Sequence, residues 1–158
     1  MIIAAIFLPV TWYHIAGVRD AAANTLAIYV NGILDSQILA TDGMPNMQNI
    51  NLYFGNTPGV GNEYLKGRLD EVRIWGFALD EAKLNAQMKA NLSGSEEGLV
   101  GLWKLNEGKG QIVFDETANV NHGHLGDING LDNADPNWIP RDAISTENVP
   151  THRTQIIF

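Results

Sequence analysis

The residues best placed to do chemistry in this sequence are the acids of a short strand-like run, residues 69 to 75. The run alternates strictly, so Asp70 is expected on the same face as Val72 and Ile74, and Glu71 on the other. A carboxylate among apolar side chains is unfavourable unless a cation or a ring of backbone N–H groups neutralises its charge. The pattern therefore predicts that Asp70 either binds a cation or accepts hydrogen bonds.

The same acids are poorly arranged for catalysis. Asp70 and Glu71 are adjacent in the sequence, so on a strand they point to opposite faces and cannot act as an acid and base pair. No other carboxylates stand at a spacing that predicts a hydrolase cleft. The sequence also lacks a Gly-x-Ser-x-Gly nucleophile motif and a phosphate-binding loop. We therefore predict that the protein is not an enzyme.

Histidines and tryptophans are the other side chains with functional potential. His122 and His124 are two residues apart and would share one face of a strand. A zinc or copper site needs further ligands, and none is evident nearby, so we interpret the two as a surface pair. His14 is interpreted as a hydrogen-bonded core residue. Trp75 and Trp103 occupy strand positions that favour packing over stacking on a sugar.

The elements that must position these residues are mostly strands. Asn31-Gly32, between two apolar runs, is the strongest short signal for a hairpin turn. One helix is predicted at Ala78–Ala90, where acids stand near the start and apolar residues recur at helical spacing. Strands are predicted at Ile2–Phe7, Tyr13–Arg19, Leu26–Val30, Ile33–Ala40, Ile50–Gly55 and Leu65–Trp75, in a hairpin of Leu99–Leu105 with Gln111–Asp115, and at Thr154–Phe158.

Composition restricts the classes of function. The chain has 158 residues, no cysteine and a formal net charge of −8. The length suits one domain with a hydrophobic core, and disulfides and thiolate zinc sites are excluded. An acidic protein lacks the basic surface that nucleic acid requires. No run approaches the roughly 18 apolar residues of a membrane helix, so no membrane insertion is expected. Met1 to Val10 is interpreted as a strand rather than a signal peptide.

Three segments together resemble a known family. They are Thr11–Gly17, which contains Trp-x-His-x-Ala, Leu26–Gly32, which ends in Tyr-Val-Asn-Gly, and Gly67–Trp75, which contains Asp-Glu-Val-Arg-Ile-Trp. In order and spacing they are similar to the concanavalin A-like jelly roll of the laminin G-like, pentraxin-related type. The resemblance implies an all-β fold, an antiparallel β-sandwich (jelly roll) with one short helix.

A fourth segment departs from the family's usual order. Residues 99–126 resemble the opening hairpin of the same family, although here they follow the other three segments. The chain is therefore either a circularly permuted jelly roll or a cut from a tandem array. We predict a jelly-roll domain over residues 1–126 and an irregular tail over 127–158. In relatives the two strands are neighbours, so the strand around Val100–Leu105 is expected to pair with Leu69–Trp75 in the same molecule.

The resemblance also implies a structural calcium ion (Ca2+). Related jelly rolls bind one through the aspartate that matches Asp70, together with oxygens of the opening hairpin. The matching hairpin positions are Asn106, Glu107 and Asp115. Oxygen ligands of this kind are those that calcium prefers. The alternative is that Asp70 accepts backbone hydrogen bonds and that Asp115 begins a turn.

Ligand binding is expected in loops, which carry binding sites more often than the core of a rigid sandwich. In the loop that ends at Tyr64, Asn56 and Asn62 are candidates for hydrogen bonding and Tyr64 for stacking on a ligand. We predict a non-catalytic recognition module at an extracellular, cell-surface or particle-surface location. Its expected partner is a glycan or a cell-surface protein.

The alternative function is assembly. The ends, Met1–Phe7 and Gln155–Phe158, are apolar and free of charge, and such segments pair with other strands when left exposed. We therefore expect at least one end to be covered by its own sandwich or by a neighbouring subunit. In this interpretation the chain packs as a homo-oligomer or as tandem copies.

Overall fold

The computed structural model describes residues 11–40, 51–55, 65–126 and 135–139, and the backbone of 156–157. The elements of these residues confirm an all-β fold with antiparallel sheets and one short helix. In chain order they are β1 (Ile15–Asp20), β2 (Thr25–Val30), β3 (Ile33–Leu39), β4 (Val72–Trp75), α1 (Glu81–Lys89), β5 (Leu99–Trp103), β6 (Ile112–Val113), β7 (Gly123–His124) and β8 (Ile156–Ile157).

Six strands form one sheet in the order β3-β2-β1-β8-β4-β5. β1, β2 and β3 form an antiparallel meander, and β4 pairs antiparallel with β5. β8 lies between β1 and β4 and is parallel to both. A two-stranded ribbon, β6 with β7, pairs Ile112 with His124 and Val113 with Gly123. Because Val113 packs against Val72 and Trp103 of the large sheet, the ribbon contributes to the second layer of the sandwich.

The turn between β2 and β3 has the conformation that its sequence predicts. Asn31 has φ of 52° and Gly32 has φ of 80°, the left-handed pair of a two-residue type I′ turn. The Asn31 N–H donates to the carbonyl oxygen of His14 at 2.7 Å, and the Asn31 Oδ1 accepts the His14 N–H at 2.9 Å. The turn thus holds the segment before β1, and His14 is buried as predicted.

β4 is shorter than the strand predicted at Leu65–Trp75. Glu71 has φ of 54°, so the extended backbone begins only at Val72. The alternation beyond this point is as predicted, since Val72 and Ile74 pack together in one core cluster while Arg73 contacts Glu71. The left-handed residue therefore shortens the strand but leaves the two faces distinct.

β5 pairs with β4 as the resemblance implies, with Val72 opposite Trp103 and Arg73 opposite Leu102. Of the predicted hairpin of β5 with the run Gln111–Asp115, the structure keeps a single antiparallel bridge, while β6 pairs with β7. Trp103 and Asp115 form an isolated bridge. The Glu116 N–H also donates to the carbonyl oxygen of Leu102 at 2.9 Å, so the two runs meet only beyond β6, at Asp115 and Glu116.

Three further strand predictions have different outcomes. Residues 51–55 of the predicted strand Ile50–Gly55 form no strand. Gly55 has φ of 79° and its carbonyl oxygen accepts the Leu65 N–H at 2.7 Å, so the chain turns there. Ile2–Phe7 lies outside the described residues. β8 falls within the predicted strand Thr154–Phe158, and its place inside the large sheet confirms that one end is covered.

The helix begins later than Ala78 because Asp80 caps it. The Asp80 side chain accepts the Lys83 N–H at 2.8 Å, and residues Glu81–Lys89 are helical. Leu84 is fully buried and directs this face of α1 toward the sheet. The helix packs in a cluster of buried residues made by Ala16, Trp75, Leu79, Leu84, Leu92, Leu99 and Leu102. A second cluster of Val72, Trp103 and Val113, bordered by Phe54, Ile74, Leu105, Leu125 and Trp138, fills the other side of β4 and β5.

Candidate functional site

Asp115 is the centre of a hydrogen-bonded turn that follows the ribbon strand β6. Its carboxylate is buried, with 4% of the residue exposed. Oδ1 accepts the N–H groups of Leu102 at 3.0 Å and Thr117 at 2.9 Å. Oδ2 accepts the Thr117 hydroxyl and the Asn121 N–H, each at 3.0 Å. Both oxygens are therefore engaged by donors of the protein itself.

These donors determine the ionisation of Asp115. Burial by itself raises the pKa of the carboxyl group, because it removes the charged form from water. The N–H groups of Leu102, Thr117 and Asn121 and the Thr117 hydroxyl stabilise the charged form, and the pKa lies below its usual range. At neutral pH Asp115 is thus a charged acceptor rather than an acid or base poised for proton transfer.

The four predicted calcium ligands lie in different surroundings. Asp70 is half-buried and Asn106 is exposed. The Glu107 Oε1 accepts the Phe114 N–H at 2.8 Å. The Asp115 oxygens already accept four donors of the protein, which is the arrangement expected under the alternative that Asp115 organises a turn. In the part of the chain that the structure describes, no three His, Asp or Glu side chains are grouped so as to hold a metal ion.

Glu71 and Arg73 form the other buried charged group. The Arg73 Nη2 lies 3.2 Å from the Glu71 Oε2 and also donates to the carbonyl oxygen of Ala90 at 2.9 Å. Nη1 donates to the carbonyl oxygen of Gln87 at 2.5 Å. Burial lowers the pKa of Arg73, and Glu71 partly offsets that effect. The pair satisfies carbonyl groups at the end of α1, so its role is structural.

The outward face of the ribbon carries a different group of side chains. Val113 points into the core, so its neighbours Ile112 and Phe114 point outward, opposite His124 and His122 respectively. Ile112 is 46% exposed and Phe114 is 50% exposed. The rings of Phe114 and His122 meet edge to face with centroids 5.1 Å apart. We call these four residues, Ile112, Phe114, His122 and His124, the ribbon face.

Both histidines of the ribbon face are exposed, as predicted for a surface pair. The His122 Nδ1 accepts the Asp115 N–H at 3.0 Å. The His124 Nδ1 lies 3.2 Å from the carbonyl oxygen of Leu125. Each ring therefore has one nitrogen held by the backbone.

The tryptophans do not supply an exposed stacking surface. Trp75 and Trp103 are buried, as predicted, and the Trp103 Nε1 donates to the carbonyl oxygen of Asn121 at 2.9 Å. Trp138 is half-buried, with its Nε1 donating to the Gly110 carbonyl oxygen at 2.8 Å, and Trp12 is half-buried as well. Phe114, by contrast, is an exposed aromatic ring in contact with the His122 side chain.

Comparison with known families identifies the fold. The sequence model of the concanavalin A-like lectin/glucanases superfamily matches residues 4–85, which is more than half of the chain. The chain belongs to this superfamily. This match confirms the family resemblance inferred from the sequence. The strand and helix content of the chain agrees with the superfamily's β-sandwich.

A solved structure is also similar to this concanavalin A-like domain. It is that of a "putative carbohydrate binding protein" from Bacteroides ovatus ATCC 8483, with a TM-score of 0.64 and 27% sequence identity. The match covers 76% of this chain and 36% of that protein, so the domain spans about a third of its length. No curated protein matches the chain.

The sequence predicted ligand contacts in a loop that lies outside the described residues. Asn56, Asn62 and Tyr64 lie outside the described residues, and their predicted role stays a prediction. Phe114 was not singled out, although the order Ile112, Val113, Phe114 alternates and its outward side matches the spacing of His122 and His124. Among the described residues, no helix is long and apolar enough to cross a membrane.

Proposed function

We propose that this concanavalin A-like domain is a non-catalytic carbohydrate-binding module and that the ribbon face contacts the sugar. The superfamily includes lectins, and the structurally similar protein from Bacteroides ovatus is described as binding carbohydrate. The observation that carries the proposal is the exposed pair of Phe114 and His122, with His124 beside it. This face combines an aromatic surface with polar ring nitrogens.

The physical basis is the complementarity of a sugar ring to such a face. The face of an aromatic ring is electron-rich, so it attracts the polarised C–H groups on the apolar side of a sugar. Polar groups placed around an apolar surface fix the orientation of a ligand. Phe114 supplies the apolar surface, and the two histidines supply the hydrogen-bonding groups at its border.

Substitution of Phe114 tests the site. We expect Phe114→Ala to weaken binding roughly tenfold in isothermal titration calorimetry, because an aromatic contact contributes on the order of 1 kcal/mol. The probes are hexasaccharides of glucose, xylose and mannose. Phe77→Ala is the matched control, since Phe77 is 47% exposed but lies apart from the ribbon face, over Gly98. Equal binding by Phe114→Ala and the wild type would move the site elsewhere, with Tyr64→Ala as the next variant.

The absence of catalysis is part of the proposal, since the superfamily also contains glucanases. Two buried carboxylates are already engaged, Glu71 by Arg73 and Asp115 by four donors, and neither is available for acid–base work. An assay of the same hexasaccharides for reducing ends tests this, and release of shorter sugars would contradict it. We also propose an extracellular or surface location, which cell fractionation tests.

A structural calcium ion is proposed on the ground of the family resemblance, with Asp70, Asn106 and Glu107 as ligands and without Asp115. A ligand bound only by the folded state raises the free energy of unfolding by roughly 2.7 kcal/mol at a hundredfold excess over Kd. We therefore expect calcium to raise the melting temperature of chelator-treated protein and Asp70→Asn to remove most of that rise. An identical melting temperature with calcium and with EDTA would contradict the proposal.

Assembly is the second candidate function, and β3 is the observation that favours it. This strand stands at one end of the six-stranded order, and Ile33 and Leu39 are 70% and 69% exposed. Exposed apolar residues on a terminal strand favour contact with another chain. Under this alternative, light scattering would show a dimer or larger species that Leu39→Lys converts to monomer. A monomeric wild type would leave carbohydrate binding as the single proposal.

A further inference from the structure

We propose that the ribbon face binds two hydroxyl groups of a neutral sugar, because His122 and His124 offer opposite hydrogen-bonding roles. The proposal rests on the proposed function and adds the class of ligand and the polar contacts. Its basis is the backbone group that each histidine ring contacts.

The proton of His122 is placed by Asp115. The His122 Nδ1 accepts the Asp115 N–H at 3.0 Å, so this nitrogen carries no proton. Neutral imidazole has a single N–H, which must then be on Nε2. The His122 ring is also held by an edge-to-face contact with Phe114. Asp115 is held in turn by the four donors on its own carboxylate. His122 therefore presents an N–H donor on a supported ring.

The proton of His124 is placed by a carbonyl group. The His124 Nδ1 lies 3.2 Å from the carbonyl oxygen of Leu125. A carbonyl oxygen only accepts hydrogen bonds, so Nδ1 must carry the proton and donate it. The Nε2 of His124 is then left with a lone pair and acts as an acceptor. The two exposed histidines thus differ in role although they are the same residue type.

A donor and an acceptor beside an aromatic ring match a neutral sugar. One sugar hydroxyl accepts from His122, a second donates to His124, and the apolar side of the ring stacks on Phe114. An anionic sugar is disfavoured, because its negative charge would lie against the lone pair of His124 in a protein of net charge −8. A transition metal bridging the pair needs a lone pair on Nε2 of both rings, and His122 has a proton there.

Nuclear magnetic resonance tests the proton positions without any ligand. Long-range nitrogen–carbon correlation spectra of the full chain at pH 8 distinguish the two neutral forms of each histidine. We expect the Nε2–H form for His122 and the Nδ1–H form for His124. The same form in both histidines of the wild type would overturn the proposal.

The same substitution, to glutamate, is expected to affect binding differently at His122 and at His124, and this difference tests the two roles. Glutamate offers an acceptor and no donor, so His122→Glu should weaken binding of the neutral hexasaccharides at least tenfold at pH 8. His124→Glu keeps the acceptor and should bind within about threefold of the wild type, whereas His124→Lys should lose at least tenfold. Melting temperatures within a few degrees of the wild type establish that the variants are folded.

The outcomes separate this inference from the proposed function. Wild-type binding that His122→Glu leaves intact overturns the inference and keeps a carbohydrate-binding module. Preference for polygalacturonate over the neutral hexasaccharides also overturns it, since the ligand would then be anionic. A wild type that binds none of these sugars overturns the proposed function, and the inference with it.

Discussion

Asp115 organises its surroundings through hydrogen bonds rather than through reactivity. Its carboxylate joins the N–H of Leu102 in β5 to the N–H groups of Thr117 and Asn121, and its own N–H holds His122. One buried residue therefore connects the large sheet to the ribbon face. Because it accepts from so many groups, its loss would leave several buried donors unpaired.

We expect Asp115→Ala to lower the free energy of unfolding by about 3 kcal/mol, since buried donors without acceptors are costly. Urea denaturation at pH 7 measures the change. Asp115→Asn should recover only part of the loss, because an amide offers one acceptor oxygen instead of two. Glu116→Ala is the control, as its 2.8 Å ion pair with Lys104 is at the surface and should contribute about 1 kcal/mol or less.

The same residue predicts a pH dependence. The pKa of Asp115 is lower in the folded state than the ordinary aspartate value of about 3.9, so the folded state takes up this proton less readily than the unfolded state. Its stabilising effect is complete above the ordinary value and is lost as the pH falls through the folded pKa. Urea denaturation from pH 6 to pH 2 should show a smaller loss of stability for Asp115→Asn than for the wild type. Parallel curves for the two proteins would contradict this.

At the scale of elements, α1 is attached to the sheet by Arg73. The guanidinium group extends from β4 to the carbonyl oxygens of Gln87 and Ala90, at the end of the helix. A cation is favourable at a helix C-terminus because the last carbonyl groups have no partner within the helix. Glu71 compensates its charge in the same buried region. Glu71, whose left-handed backbone shortens β4, is thus also the ion-pair partner of the arginine that attaches α1.

We expect Arg73→Met to lower the free energy of unfolding by roughly 3 to 5 kcal/mol, because the buried Glu71 carboxylate loses its ion-pair partner. Adding Glu71→Gln should restore part of that loss, since the second substitution removes the buried charge. Thermal and urea denaturation of the two single variants and the double variant measure the coupling. Additive losses would show that the ion pair has no energetic coupling.

At the scale of the whole molecule, β8 joins two halves of the large sheet. β3, β2 and β1 lie on one side of it, and β4 and β5 lie on the other. Ile156 and Ile157 pair with Ile15 and Ala16 of β1, and Ile157 pairs with Arg73 of β4. A segment of two residues therefore completes a continuous sheet from strands that are far apart in the sequence.

Removal of residues 154–158 should lower the melting temperature and broaden the unfolding transition, because β1 and β4 lose their shared neighbour. Differential scanning calorimetry measures both effects. Gln155→Ala serves as the control for a change at this end of the chain without removal of the strand. A truncated chain with the sharp transition of the full chain would show that β8 does not couple the two halves.

Local patterns predicted much of this molecule because they depend on neighbouring residues. Asn31-Gly32 gave its type I′ turn, since both positions favour left-handed backbone. The alternation of Val72, Arg73 and Ile74 gave the two faces of β4. Trp75 and Trp103 were placed in the core from their strand positions. The three matching segments also gave the superfamily, and with it the expected neighbour of β4.

The ribbon face, the candidate functional surface, could be predicted only in part. His122 and His124 were expected to share an exposed face, but Phe114 joins them only because Val113 anchors β6 in the second layer. Asp115 matched a calcium position by resemblance, whereas its role was decided by donors from Leu102, Thr117 and Asn121. The calcium ligands Asp70, Asn106 and Glu107 stay predictions.

The sequence by itself determined the class of fold, the turn chemistry and the alternation of buried and exposed residues, because these depend on the preferences of adjacent residues. The tertiary structure decided where β6 pairs, where β8 inserts and which donors surround the Asp115 carboxylate. Those outcomes depend on groups that are distant in the sequence, such as the N–H of Leu102 on the Asp115 carboxylate. Hydrogen bonds of this kind act over about 3 Å, so only the folded chain brings their partners together.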